Sequence, residues 1–455
     1  MKHAIYGGIG GALAGSVVLG ILFLGPLSGS SAPIQTESAV AVQTVEPSAA
    51  ATPTETATEE VVAPKCSVSD AATAEGILSL QAQVIDSATG EVLFDRAGET
   101  PARTASVLKL VTAAAALESL GPDYTITTRV YVDAEDPAII YLVGAGDVTL
   151  SKTGTNEQSV YRNAPKLSTL VGQITRALPG QAVSQIVIDS SLYGGDSGDW
   201  KTDWDIKGLK EGYMSRVSAL QVDGDRSDPA GKDSARSKDP VSSAGKAFKA
   251  ALGDAAKDAR IVKGVAPASA VEIAKVNSRP ISEWISYMLL VSDNTLAEAL
   301  GRLVSLDQGF SGTFSSLDQA YKKALSGTGL NLAGLKIEDG SGLSDFNAAS
   351  PALINSVLTL VDQGYKNFSI IESGMPVAGS PGSLSYRLLD AQGRIVAKTG
   401  WIQSGYTIAG FMDPVDGSHL IFSVYNLGKV SASNRDAMDA LVMAIYDCGA
   451  NLGNE

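Results

Sequence analysis

Ser106-Val-Leu-Lys-Leu-Val-Thr-Ala-Ala-Ala-Ala-Leu117 sets a serine and a lysine three residues apart at the head of an apolar run. Leu108, Val111, Ala115 and Leu117 recur at helical spacing and Gly121-Pro122 ends the pattern, which predicts a helix over Ser106–Leu120. Residues three apart share a helix face, so the Lys109 amine reaches the Ser106 hydroxyl. That hydroxyl is a poor nucleophile until a base takes its proton. Lysine can do so only when neutral, and its ordinary pKa is about 10.4. Burial, or a second cation such as Lys398, lowers it by roughly 3 units. For these two residues alone, the competing reading is a solvated pair on the first turn of an amphipathic helix.

The composition removes other chemistries. The 455 residues include two histidines, His3 and His419, and two cysteines, Cys66 and Cys448. A triad needs a placed imidazole, and His3 falls in an N-terminal apolar segment. Neither HExxH nor a paired CxxC occurs, so no metal or other cofactor is expected. The net charge of −14 argues against a nucleic-acid partner.

From Ala4 to Gln35 there is no charge, and Ile5–Leu27 is mostly Gly, Ala, Leu, Ile and Val. Residues 1–31 therefore read as an export signal or an N-terminal membrane anchor. Residues 32–65, rich in Ala, Thr, Pro and Glu, have too little apolar surface to fold and read as a disordered linker. Export places the chain in oxidising surroundings, which favours a disulfide between Cys66 and Cys448, against two unpaired buried thiols.

Beyond Cys66 the sequence predicts strands at Gln81–Ile85 and Val92–Phe94 about an Asp86–Gly90 turn, then at Ile126–Val132, Ile139–Val143 and Ile186–Asp189. A polar irregular run covers Asp223–Lys238. Helices are predicted at Ala244–Leu252, Ile281–Leu303 and Arg435–Tyr446, and strands at Ile395–Lys398, Thr407–Met412 and Leu420–Val424. Strands first and last with helices between describe an α+β chain: an antiparallel sheet covered by helices and interrupted by an insertion.

Two further motifs follow Ser106 and Lys109. Ser292-Asp-Asn294 falls on a short connection between helical runs, where its hydroxyl can relay a proton and its amide can hold a substrate carbonyl. On local grounds alone, an ordinary helix cap for Thr295–Leu303 is the stronger reading. Lys398-Thr-Gly400, at a predicted strand end, offers a cation and a hydroxyl to a carboxylate and a glycine for close approach. An earlier Lys152-Thr-Gly154 lies in a polar loop before Ser292 and reads as chance. Together the three motifs supply a nucleophile, a non-histidine base and a carboxylate grip.

S-x-x-K, S-x-N and K-T-G in this order mark penicillin-binding proteins and class A β-lactamases. Longer blocks support the likeness: Val84-Ile-Asp-Ser-Ala-Thr-Gly-Glu-Val-Leu-Phe94, Leu289–Asn294 with Ala297-Glu-Ala-Leu300, Asp339-Gly-Ser-Gly-Leu-Ser344, Met375-Pro-Val-Ala-Gly379, and Gly382-Ser-Leu384 with Arg387. Residues 80–455 thus resemble the low-molecular-mass class C penicillin-binding proteins, the D-alanyl-D-alanine carboxypeptidase/endopeptidase family, most weakly in 197–238.

The resemblance implies a transpeptidase-like catalytic domain from 66–121 and 277–455, with 122–276 inserted. It implies that Ser106 forms the acyl-enzyme, Lys109 activates it, Ser292 and Asn294 assist, and Lys398 and Thr399 hold the terminal carboxylate, with Gly400 and Trp401 beside them in the substrate site. The backbone N–H groups of Ser106 and Trp401 would receive the oxyanion. Trp401 departs from the family, which usually has a hydroxyl residue there; Gln403 and Ser404 are the nearby substitutes. The implied partners are peptidoglycan stem peptides and, as covalent inhibitors, β-lactams, met outside the cytoplasm with the N-terminal segment engaging the membrane. A β-lactamase ranks low because no E-x-x-L-N segment follows Ser292. A wall-binding scaffold with a degenerate site is the alternative from another class.

Overall fold

Asp86 closes the first hairpin: its carboxylate accepts the Thr89 N–H at 2.8 Å, turning strand β1 (Leu80–Asp86) into β2 (Val92–Arg96). The computed structural model describes residues 65–193 and 198–454. The export segment at 1–31 and the linker, apart from Lys65, lie outside the described residues. On its other edge β1 pairs with β10 (Leu420–Leu427), followed by β9 (Gly405–Met412) and β8 (Ile395–Ile402). All these pairings are antiparallel.

Strand β10 is buried at every position because the sheet is covered on both faces. Leu420, Phe422 and Val424 pack on one side with Met438, Leu441 and Ile445 of a C-terminal helix (Ala432–Cys448). Ile421 and Tyr425 point the other way, into a helical layer. At the centre of that layer lies α1 (Leu108–Leu120), buried from Leu108 to Leu117, and entered through a 3-10 turn at Ala105–Val107. A helix apolar around its whole girth belongs inside, not on the surface.

Residues between α1 and Ile281 build a second sheet. Its order is β6 (Arg260–Lys263), β5 (Gln185–Asp189), β4 (Ile139–Val143), β3 (Thr127–Val132), β7 (Val271–Asn277), with β4–β5 and β5–β6 parallel. Helices α2 (Leu167–Ala177) and α3 (Pro240–Leu252) close its core.

One sequence expectation changes and one is sharpened. The helical stretch Ile281–Leu303 divides at the connection read there into α4 (Ile281–Val291) and α5 (Asn294–Asp307), with Ser292 in a left-handed backbone at φ 60°. Lys398-Thr-Gly400 does not end a strand: β8 continues to Ile402, since β9 offers partners through Gly405. Cys66 and Cys448 form a disulfide with Cα atoms 5.5 Å apart. The backbone clasps the same ends, Cys66 N donating to Asn451 O at 2.8 Å. Among the described residues no helix is long and apolar enough to cross a membrane.

Candidate active site

Ser106 sits in the turn that opens α1, with Ala105 before it at φ 43°. Two glycines make that turn possible. A Cβ on Gly342 would strike the Ala105 carbonyl, and one on Gly400 would lie 2.8 Å from Ser106 N. One turn on, the Lys109 Nζ lies 2.9 Å from Ser106 Oγ and donates to Asn294 Oδ1 and the Ser341 carbonyl, each at 2.7 Å. A neutral amine has two N–H groups and one lone pair. The two carbonyl oxygens can only accept, so they take both N–H groups and leave the lone pair for the Ser106 hydroxyl.

Lys109 is fully buried, and its pKa is lowered to about 8. Burial is the main cause, and the negative charges of Asp339, Glu298 and Asp293 oppose it. The sequence assigned part of this effect to Lys398. Instead Lys398, itself fully buried, is the amine pushed well down, first by burial and then by the repulsion of Lys109.

The Ser292–Asn294 connection serves as cap and site at once, on different residues. Asp293 caps α5, accepting the Leu296 N–H at 2.9 Å. The left-handed turn at Ser292 brings its hydroxyl 2.9 Å from Lys398 Nζ. Asn294 Nδ2 donates to the Tyr213 carbonyl at 2.9 Å while its oxygen holds Lys109.

Strand β8 is the last of its sheet. Its outer edge is covered early, where Ala378 N donates to Ile395 O and Ala397 N to Pro376 O, both at 2.9 Å. Antiparallel strands alternate inward and outward amides, so Thr399 and Trp401 turn theirs to the same outer edge. Lys398 Nζ also donates to the Thr399 carbonyl at 2.5 Å, and Thr399 Oγ1 donates to Ser383 Oγ at 2.7 Å. The Trp401 indole is 56% exposed, beside Tyr406 with ring centroids 6.4 Å apart. Ser404 is engaged elsewhere, donating to the Asp345 carboxylate at the hairpin tip.

These groups face a cleft of about 820 Å³. Ser106, Ser292, Asn294, Thr399, Gly400 and Trp401 line it, with Gln403, Tyr406 and Arg387 on the β8 side. A further wall comes from the stretch where the resemblance is weakest: Trp200, Trp204 and Tyr213, with Asp203, Asp205, Lys207 and Glu211. Sequence reasoning missed this wall. Its signal was aromatic: three of the four tryptophans, at 200, 204 and 401, line the cleft.

Beneath that wall, Trp204 Nε1 donates to Asp339 Oδ2 at 2.8 Å, and Asp339 also accepts from the Gly342 and Ser344 amides. Glu298 accepts the Gly340 and Ser341 N–H groups, and burial raises its pKa to about 7. Thus the Asp339–Ser344 block presents the Ser341 carbonyl to Lys109. Lys152 lies outside the cleft lining, its Nζ on the Arg226 carbonyl at 3.0 Å. No group of His, Cys, Asp or Glu among the described residues is arranged to hold a metal ion.

The profile of the D-Ala-D-Ala carboxypeptidase 3 (S13) family matches residues 67–232 and 226–446. The carboxypeptidase DacB of Mycolicibacterium smegmatis is 30% identical over 81% of this chain and 80% of its own. The D-alanyl-D-alanine carboxypeptidase of an Actinomadura species is 26% identical over 80% of each. Among solved structures, penicillin-binding protein 4 of Haemophilus influenzae aligns with a TM-score of 0.70 at 18% identity, covering 83% of this chain and 99% of that one. The same protein complexed with a β-lactam aligns with a TM-score of 0.64. On the length of the profile match and the identity to the mycobacterial relative, the chain belongs to the D-Ala-D-Ala carboxypeptidase 3 (S13) family.

Proposed function

We propose that the protein is a serine D-Ala-D-Ala carboxypeptidase that acts on peptidoglycan stem peptides outside the cytoplasm and is acylated by penicillins. The observation that carries this reading is the buried Lys109 amine, 2.9 Å from Ser106 Oγ and held by two carbonyl oxygens at 2.7 Å. Family membership supplies the substrate class. Residues 66–121 and 277–455 are the catalytic domain and 122–276 the insert, and residues 1–31 export or anchor the chain.

In this reading Ser106 Oγ attacks the carbonyl of the penultimate D-alanine as its proton passes to Lys109 Nζ. The oxyanion is received by the N–H groups of Ser106 and Trp401, the latter on the open edge of β8. Ser292, hydrogen-bonded to Lys398, relays the proton taken up by Lys109 to the departing D-alanine nitrogen, so the amide bond breaks and Lys109 is neutral again. Lys398 and Thr399 hold the terminal carboxylate, and water then hydrolyses the ester at Ser106.

Cleavage of cross-links by the same acyl transfer is the second reading. It is favoured by Trp401, which puts an indole where a hydroxyl would meet a free carboxylate. The test is labelling with a fluorescent penicillin, alongside D-alanine release from a D-Ala-D-Ala peptide. Wild type takes covalent label and releases D-alanine, and Ser106→Ala does neither. An unlabelled wild type refutes the mechanism.

A further inference from the structure

Asp223–Lys238 contains no regular element beyond a 3-10 turn at Asp223–Asp225, yet it buries two arginines behind the Ser292–Asn294 connection. Arg226 Nη2 donates to Asp293 Oδ2 at 2.8 Å, and Nη1 donates to the Tyr161 hydroxyl at 2.7 Å. The guanidinium lies 4.8 Å from the Tyr161 ring centroid, and that hydroxyl in turn donates to Asp293 Oδ2 at 3.3 Å. Side-chain exposure is 2% at Arg226 and 4% at Asp293.

Capping alone does not call for this pair. A neutral Ser or Asn accepts the Leu296 N–H as well as Asp293 does, without a buried charge to neutralise. What the pair adds is placement. Ser292 holds a left-handed backbone that costs a non-glycine residue energy, and it holds it against an Asp293 pinned at both carboxylate oxygens. Arg236 works in parallel: its Nη2 donates to Gly212 O at 2.8 Å, and the next carbonyl, Tyr213 O, receives Asn294 Nδ2. Both arginines therefore hold chain neighbours of the groups that bear on Lys398 and Lys109: Arg226 holds Asp293, between Ser292 and Asn294, and Arg236 holds Gly212, next to Tyr213.

We infer that Arg226 is a positioning residue for acylation: through Asp293 it keeps Ser292 and Asn294 in register with the two lysines and cancels the Asp293 charge beside Lys109. This rests on the acyl-enzyme reading above. The charges facing Lys109 are Asp293 and Glu298 from the start of α5, Asp339 from the loop that presents Ser341, and Lys398 from β8. Around Asp293 itself stand Arg226, Arg236 and the Tyr161 and Tyr287 phenols. Among the described residues, Asp293 is the one of the three carboxylates held in an ion pair. Without Arg226, Arg236 is left to offset the Asp293 charge, and more of that charge strengthens the hold of Lys109 on a proton.

The test is the acylation rate of the full chain by a fluorescent penicillin from pH 6 to 10. Wild type is compared with Arg226→Met and Arg226→Lys, and melting temperature is recorded for each. Arg226→Met slows acylation at pH 7 by about tenfold or more and moves the rising limb up by roughly one pH unit. Arg226→Lys, which keeps the charge, recovers most of the rate and the limb. A purely structural role lowers the melting temperature but leaves the limb of the folded protein in place, and that result overturns the inference. So does an Arg226→Met rate within about twofold of wild type. If Arg226→Met does not fold, Arg226→Gln is read by the same two criteria. A wild type that takes no label overturns the acyl-enzyme reading, and this inference with it.

Discussion

Lys109 Nζ donates to Asn294 Oδ1 at 2.7 Å across a sequence separation of 185 residues. The acceptor is an amide, so it orients the amine without adding a charge that would keep it protonated. With the Lys109 pKa near 8, the amine is protonated below that pH and neutral above it. Acylation of wild type by a penicillin therefore rises with pH, with a midpoint near 8. Asn294→Asp sets a carboxylate against Nζ and moves that midpoint up by about 1–2 units, slowing acylation at pH 7 by roughly 10- to 100-fold. Stopped-flow rates against pH measure both.

Gly400→Ala tests how closely β8 backs the nucleophile. The new Cβ falls 2.8 Å from Ser106 N and collides with Thr407 Oγ1, so strand and turn must separate. Acylation drops by about tenfold or more, because small displacements of a nucleophile cost rate steeply. Circular dichroism of the variant stays native.

Trp401→Thr restores a hydroxyl beside the site proposed for the substrate carboxylate. A hydrogen bond to a charged group contributes about 1.5–3 kcal/mol, so kcat/KM for a peptide with a free D-Ala carboxylate rises about tenfold or more. Turnover of a cross-linked dimer does not rise with it. The ratio of the two rates, by chromatography of products, is the measurement.

Cys448→Ser opens a loop of 382 residues. Loss of a disulfide of this span lowers stability by about 2–5 kcal/mol. The backbone bonds of Cys66 to Asn451 and Gly453 keep the ends near each other, so the fold survives. Urea unfolding of the variant matches that of reduced wild type, at a midpoint below that of oxidised wild type.

Much of the sheet was legible because its cues are local. Asp86–Gly90 has the composition of a turn, and β1, β9 and β10 lie where β-prone runs predicted them. The break at Ser292 was half legible. The motif marked a connection, but only the left-handed backbone shows that Asp293 caps while its neighbours face the cleft. Strand β8 was cut short because Gly400 reads as an ending, whereas pairing with Thr407 carries the strand through it.

The sequence by itself determined the chemical inventory: a serine and lysine one helical turn apart, two more motifs in order, two cysteines at the ends, and too few histidines for imidazole catalysis. It could not determine how far burial pushes the Lys109 amine toward its neutral form. A pKa near 8 belongs to an amine without water, and the atoms that exclude water from Lys109 come from Asn294, Ser341 and the surrounding core. Nor could it show that the polar run at Asp223–Lys238 has a buried partner. Arg226 meets Asp293 across 67 residues, where spacing has no periodicity to read. Local pattern reports which groups are present. Desolvation and charge pairing depend on which distant segments pack together, and only the tertiary structure decides that.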